Sequence, residues 1–286
     1  MTSTARNSFS RLFENRQFRW LFAGNTAMFF GFFATILLRS LLAWELTGDE
    51  MSLAYINLLA AVCMFSSSIV SGAFIDRHER RGLLLLSQAA VFSAEAIILV
   101  LLITDHITFA YLLISSTAAS IAFPFIMPSR TAMLVSAVGK PSLARATAFM
   151  TAGINMARMI SPAVVGVLAD VSGFVFCYSL ILLLHGTSLL CTLGLNRYPP
   201  ANIMRDGFLK ETFKGFSYVI QNRSIGLCIL FGMLPLMIVI PLQNLMVVFV
   251  DEIWHQGGSG LGIMMAATGI GGVVGSLSMA FVREGS

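Results

Sequence analysis

Long uncharged apolar runs alternate with short polar breaks along the whole of this 286-residue chain. Trp20 to Leu38 carries no charge, and its apolar character continues beyond Arg39 to about Trp44. Met51 to Ile75 is uncharged, Leu83 to Thr104 is broken only by Glu95, and Ile107 to Ser129 is again uncharged. Leu143 to Ala169 has Arg145 at its entrance and Arg158 inside it, and Val171 to Leu195 is interrupted only by His185. Two further uncharged runs follow, Ser224 to Val250 and Gln256 to Val282. A helix needs roughly 20 apolar residues to cross the hydrocarbon of a bilayer. The pattern therefore predicts eight spanning helices, the fifth and sixth separated only by Asp170–Gly173.

The breaks between the runs sort by charge. Arg6, Arg11, Arg16 and Arg19, then Arg77, Arg80 and Arg81, then Lys140 and Arg145 fall on one side of the predicted membrane. Arg197, Arg205, Lys210, Lys214, Arg223 and Arg283 join them. The opposite side receives Glu45, Asp49, Glu50, Asp105, Asp170, Asp251 and Glu252 and no Lys or Arg. Basic loops are retained on the cytoplasmic face, so the N-terminus is expected there, in a bacterial-type inner membrane. No cleavable leader is expected, because the first apolar run is too long for a signal h-region. The polar stretch 196–222 divides the chain into a six-helix half over 1–195, a cytoplasmic linker, and the opening of a second half over 223–286. A second six-helix copy would need four more spans, so the sequence is expected to continue beyond Ser286.

Composition sharpens this picture. Hydrophobic residues make up 57% of the chain and charged residues only 11%, with a mean hydropathy of +0.83. Soluble domains carry roughly a quarter charged residues to wet their surface, so lipid must solvate much of this one. Cys63, Cys177, Cys191 and Cys228 sit inside apolar runs without metal-ligand or CxxC spacing, and read as small buried hydrophobes. The net charge of +4 comes without a basic stripe and interleaved aromatics, so no nucleic-acid partner is implied. No nucleophile elbow, phosphate-binding loop or HExxH is present, and no enzyme chemistry, cofactor or metal is expected.

One loop carries more specific information. Between the second and third spans runs Gly72-Ala73-Phe74-Ile75-Asp76-Arg77-His78-Glu79-Arg80-Arg81. An aspartate at a helix C-terminus opposes the helix dipole unless it pairs or meets another helix's N-terminus, and a glycine one turn earlier permits close helix approach. On these grounds alone, an ordinary basic loop explains the segment equally well. The pattern G-x-x-x-D-R-x-x-R-R, however, resembles the signature loop of the major facilitator superfamily, with Glu79 replacing the usual glycine. Phe18-Arg19-Trp20-Leu21-Phe22, Trp44-Glu45-Leu46-Thr47-Gly48, Pro128-Ser129-Arg130-Thr131-Ala132 and the run Asn155 to Gly166 resemble the branch containing the enterobactin exporter and macrolide efflux pumps.

That resemblance covers the whole chain. It implies an all-α membrane protein, a major-facilitator-type helical bundle with the six-helix N-terminal half and about two helices of the C-terminal half. Two such halves would rock about a central cavity, with Gly72, Asp76, Arg77, Arg80 and Arg81 as a gate that pairs with helix ends of the other half. Two departures are visible: Ser161 stands before Pro162 where antiporters of the family usually have glycine, and Arg130 lies at the end of the predicted fourth span rather than within it.

Charges inside a span cost roughly 2.5–3.5 kcal/mol on insertion scales, so they face a partner or a cavity. Glu95 is the candidate proton carrier, with pairing to an arginine such as Arg158 as the structural alternative. Arg39 could snorkel towards Glu45. Arg158 and Asn155 share a helical face and suit gating or helix packing. Pro162 and Gly166 predict a kinked, closely packing helix. Gly271 and Gly275 form a GxxxG packing face, and His185 reads as a hydrogen-bonded interior residue. The expected function is secondary active transport, exporting small hydrophobic or amphipathic compounds of drug or siderophore type against a proton gradient. The alternatives are a truncated or partner-dependent membrane module and a lysophospholipid flippase of the same fold. The pattern does not address oligomeric state.

Overall fold

The computed structural model describes residues 12–197, 221–222, 224–227, 230–231, 249–254, 260, 262–264, 266–267 and 269–271. Among these there is no strand. The elements among the described residues are α1 (Arg16–Thr47), α2 (Glu50–Arg77), α3 (Arg80–Ile103), α4 (Phe109–Ala122), a 3-10 turn (Phe123–Phe125), α5 (Ile126–Val138), α6 (Lys140–Leu193) and a π-helical turn (Phe249–Ile253). Among the described residues, five continuous helical segments are long and apolar enough to cross a membrane, α4, the 3-10 turn and α5 counting as one.

Local chemistry sets the boundaries. Asn15 caps α1, its side-chain oxygen accepting from the amides of Gln17 and Phe18, while its amide nitrogen donates to the Ala137 carbonyl at 2.9 Å. Asn15 thus ties the start of α1 to the end of α5. α1 stops at Gly48, whose left-handed φ of 58° lets its amide bond the Trp44 carbonyl. Asp49 follows at once as the N-cap of α2. A Gly-Asp pair is enough to reverse the chain between two spans.

The 54 residues of α6 would extend about 80 Å if straight, far beyond one bilayer. Gly173, at φ 76° and ψ 174°, is its one non-helical residue. Cys177 Sγ lies 3.8 Å from the Val165 carbonyl, although twelve residues of straight helix would separate them by about 18 Å. The element is therefore a hairpin, with a first arm (140–172) and a second arm (174–193). Pro162 keeps helical dihedrals, so the break falls at the inter-span glycine.

The sequence-based boundaries shift in two places. The fourth span continues to Val138 rather than ending at Ser129, and the fifth begins at Lys140. Charged residues marked the ends in the hydropathy pattern, but Arg130 is buried by neighbouring helices and the helix runs through it. The predicted spans 224–250 and 256–282, and the linker, fall largely outside the described residues, as does Gly275.

α1 is the central element and packs most extensively against α6. Two apolar clusters form the core. One, towards the basic loops, contains Phe18, Leu21, Met28, Leu84, Val91 and Met150. The other, towards the acidic loops, contains Leu37, Leu38, Ile56, Ile98, Leu112 and Ile181. Outside, large apolar side chains such as Phe65, Leu86, Ile114 and Leu183 lie exposed on several helices. Patches of that extent need an apolar solvent, which the bilayer supplies.

Candidate functional site

Between the two apolar clusters lie the buried polar side chains, and these define the candidate site. Arg39 of α1 donates to Glu95 Oε1 of α3 at 2.5 Å. The Glu95 side chain is 1% exposed and that of Arg39 11%, so the pair is shielded from bulk solvent. The expected partners were different. Arg39 does not turn to Glu45, because helical side chains lean towards the N-terminus, which carries it back into the span. Glu95 does not pair with Arg158, which is exposed and sits over the Phe33 ring at 5.3 Å. Glu95 Oε2 has no hydrogen-bond partner among the described residues.

Two aromatic residues of the second α6 arm flank this pair. Tyr178 is fully buried and lies within electrostatic reach of both Arg39 and Glu95. His185, 2% exposed, lies within reach of Arg39. Its ring rests on the backbone of Gly31, where a built Cβ would come within 2.6 Å of Nε2. Neither imidazole nitrogen meets strict hydrogen-bond geometry among the described residues, and the polar group beside the ring is the Gly31 backbone, which acts on it as a hydrogen-bond partner.

Nearer the basic loops, Ser188 collects three contacts. Gln88 Nε2 donates to Ser188 Oγ at 2.9 Å, and Arg130 Nη2 donates to it at 2.7 Å. Ser188 in turn donates to the Gly24 carbonyl at 2.7 Å. Arg130, at 2% exposure, is among the largest fully buried side chains. It therefore lies inside the fourth span and points into the bundle, which removes the departure seen in the sequence. Gln88, Ser188 and Tyr178 escaped the sequence reading. Their signal was helical spacing from residues already singled out: Gln88 precedes Glu95 by seven positions, Tyr178 precedes His185 by seven, and Ser188 follows His185 by three.

The signature loop is anchored within this half. Arg80 donates to the Ala132 carbonyl and to Ser136 Oγ, each at 3.4 Å. Arg81 donates to the carbonyls of Thr192 at 3.3 Å and Leu193 at 2.6 Å. A cation on the last carbonyls of a helix satisfies orphan acceptors and complements the dipole. These hydrogen bonds run to the ends of the fourth and sixth spans, not to another half. Arg77 is exposed, Gly72 faces open space, and Asp76 lies in the last turn of α2. The exposed Glu79–Arg197 contact at 4.0 Å contributes little.

The first arm of α6 meets the helical residues at 260–271. A Cβ on Gly262 would stand 2.7 Å from the Pro162 carbonyl oxygen, and one on Gly269 2.8 Å from Met159 Cα. This contact is backbone against backbone, and only glycine allows it. Of the expected GxxxG face, Gly271 has nothing within 4 Å of a built Cβ among the described residues, and Gly275 lies outside them. Pro162 and Gly166 are buried and Asn155 half-buried. Ser161, where the family usually has glycine, donates to the Phe30 carbonyl at 2.6 Å and ties α6 to α1. No cluster of metal-ligating side chains occurs among the described residues.

Comparison with known proteins agrees with this architecture. Enterobactin exporter EntS of Citrobacter koseri is 25% identical over 225 residues, which cover 77% of this chain and 52% of that protein. EntS of Escherichia coli O157:H7 aligns with the same identity and coverage. The chain spans about half the length of these curated relatives. Among solved structures, an inward-facing bacterial homologue of the human lysosomal transporter Spinster shares 14% identity with a TM-score of 0.68, covering 94% of this chain and 64% of that one. A POT family transporter bound to a thioalcohol-conjugated peptide gives a TM-score of 0.56 at 15% identity, covering 83% and 49%. The profile of the transmembrane secretion effector family matches residues 7–285. With that match spanning almost the whole sequence of a six-span bundle, the chain belongs to the transmembrane secretion effector family, a membrane-transporter branch of the major facilitator superfamily.

Proposed function

We propose that this chain is the first half, and the opening of the second, of a proton-coupled exporter of small hydrophobic or amphipathic compounds working by alternating access. On this reading residues 1–195 form the N-terminal half, 196–222 a cytoplasmic linker, and 223–286 the start of the C-terminal half. The N-terminus and basic loops face the cytoplasm across an inner membrane. The exporter name of the EntS relatives supports the direction of transport.

The observation that carries the proposal is the shielded Arg39–Glu95 pair with one carboxylate oxygen unbonded. A carboxylate held by a single guanidinium can take a proton at its free oxygen, and doing so releases the arginine. Proton binding is thereby converted into the loss of a contact between α1 and α3. The loop Gly72, Asp76, Arg77, Arg80 and Arg81 serves as the gate, with Arg80 and Arg81 bracing it on its own half and leaving Asp76 and Arg77 for the other. Asn155, Pro162 and Gly166 support the close contact on which the halves move.

The test is dye efflux. Protein from the full reading frame, reconstituted in liposomes, is expected to move Hoechst 33342 in response to a pH gradient. Glu95→Gln should abolish gradient-driven movement while dye binding persists. Undiminished efflux in that variant would remove Glu95 from the mechanism.

A further inference from the structure

The buried polar groups around Glu95 fall in a line rather than a cluster. The Gln88–Ser188 bond fixes the antiparallel register of α3 against the second arm of α6. Seven residues along α3 from Gln88 is Glu95, and seven back along α6 from Ser188 is Ile181. Glu95 therefore sits at the level of Ile181, with Tyr178 one turn towards the acidic loops and His185 one turn towards the basic loops. The axial steps are about 4.5 Å to Tyr178 and about 6 Å to His185, the reach of one or two hydrogen-bonded waters.

Along this line polar atoms are left without partners. Glu95 Oε2, the Tyr178 hydroxyl, Gln88 Oε1 and Arg130 Nε are buried and unbonded among the described residues, and the His185 nitrogens have only the Gly31 backbone beside them. Their side chains are each at most 2% exposed. Buried groups of this kind are normally satisfied, and where protein supplies no partner bound water does.

We propose that the seam between α1, α3 and the second arm of α6 is a two-site proton relay, in which the Glu95 carboxyl and the His185 imidazole exchange one proton through seam-bound water. The inference rests on the reading of Glu95 as the proton site. In the transfer, the O–H bond at Glu95 Oε2 breaks and a water takes that proton while passing another to a His185 ring nitrogen. Glu95 becomes the carboxylate that Arg39 binds, and His185 becomes the imidazolium. Return of that proton through the same water restores the neutral imidazole and the Glu95 carboxylic acid. An imidazole steadied at one nitrogen by the Gly31 backbone keeps the other to accept and return a proton.

The groups facing the relay are Arg39 from α1 and Tyr178 from α6. Gln88 of α3 and Arg130 of α5 lie at its basic-loop end. From α4, Ser115 approaches the Glu95 turn, donating to the Ala94 carbonyl at 3.0 Å. The fixed positive charge of Arg130, hydrogen-bonded across the seam, bars an excess proton from that end, as cations in narrow polar passages do.

The experiment uses the full-reading-frame protein in lipid films, with proton exchange followed by infrared spectroscopy after a pH jump. The carboxylic-acid band absent from Glu95→Gln reports Glu95. In His185→Gln that band should persist, but its exchange should slow about a hundredfold, the lower end of what a positioned acid–base group contributes. Wild-type exchange in His185→Gln would overturn the relay and leave the Glu95 reading intact, whereas an unchanged band in Glu95→Gln would sink both. Should His185→Gln fail to fold, hydroxyl-radical footprinting of wild type decides the matter. Rapid labelling of buried Tyr178 relative to buried Phe18 supports seam water, and equal protection refutes it.

Discussion

Removing the carboxylate alone, as in Glu95→Leu, leaves the Arg39 guanidinium in a site that is 11% exposed with no acidic partner. Breaking a buried ion pair in this way costs about 3–5 kcal/mol, because the surviving charge remains desolvated. At roughly 2–4 °C per kcal/mol for a protein of this size class, the melting temperature should fall by about 6–20 °C. Replacing both partners, Arg39→Met with Glu95→Leu, removes the uncompensated charge and fills the space with apolar atoms. Such double replacements are often neutral or stabilising, so the double variant should melt close to wild type. Fluorescence from Trp20, Trp44 and Trp254 in detergent would follow unfolding of all four proteins in the cycle. The sign of the coupling is the decisive quantity: the double variant must be more stable than Glu95→Leu alone. If the two melt together, Arg39 was not paired with Glu95, and the account of a proton releasing an α1–α3 contact loses its basis. Because the double variant also lacks the proton site, it should be stable yet inactive in gradient-driven efflux. Stability and coupling would then be separated in a single molecule.

Further outcomes follow from other contacts. Gly262→Ala and Gly269→Ala each direct a methyl at backbone atoms of Pro162 or Met159 less than 3 Å away, and should cost about 1–3 kcal/mol through overpacking; unchanged melting in both would mean the two helices do not meet there. Arg81→Gln uncaps the end of α6, with an expected loss of about 1–2 kcal/mol and faster hydrogen exchange at the Thr192–Leu195 amides, while unaltered exchange would dismiss the cap.

How much was legible in the sequence differs from residue to residue. Arg80 and Arg81 stood out as a motif, but motif spacing carries no information about which helix ends they reach. Their targets, Ala132, Ser136, Thr192 and Leu193, lie more than fifty residues away. Glu95 stood out because a charge in an apolar run is costly, yet its partner could have been any arginine at similar depth. Arg130 was placed at a span end because hydropathy stops counting at a charge, whereas a buried guanidinium with a serine acceptor can sit within a helix.

By itself, the sequence determined the solvent, the spans and the sorting of charged loops, because those depend on the free energy of each residue in lipid or water, summed locally along the chain. Gly48 and Asp49 likewise set a reversal through their own backbone preferences. Only the tertiary structure decided that Arg39 meets Glu95 and that Ser188 gathers Gln88, Arg130 and Gly24. It also selected Gly262 and Gly269, rather than Gly271, for the contact with α6. Such pairings depend on the rotation and register of helices against one another, and a one-residue change in register turns a helix face by about 100°. Apolar patterning constrains that rotation weakly in a membrane, where lipid and protein interior are equally apolar. The polar contacts therefore carry the specificity, and they become visible only once the helices are packed.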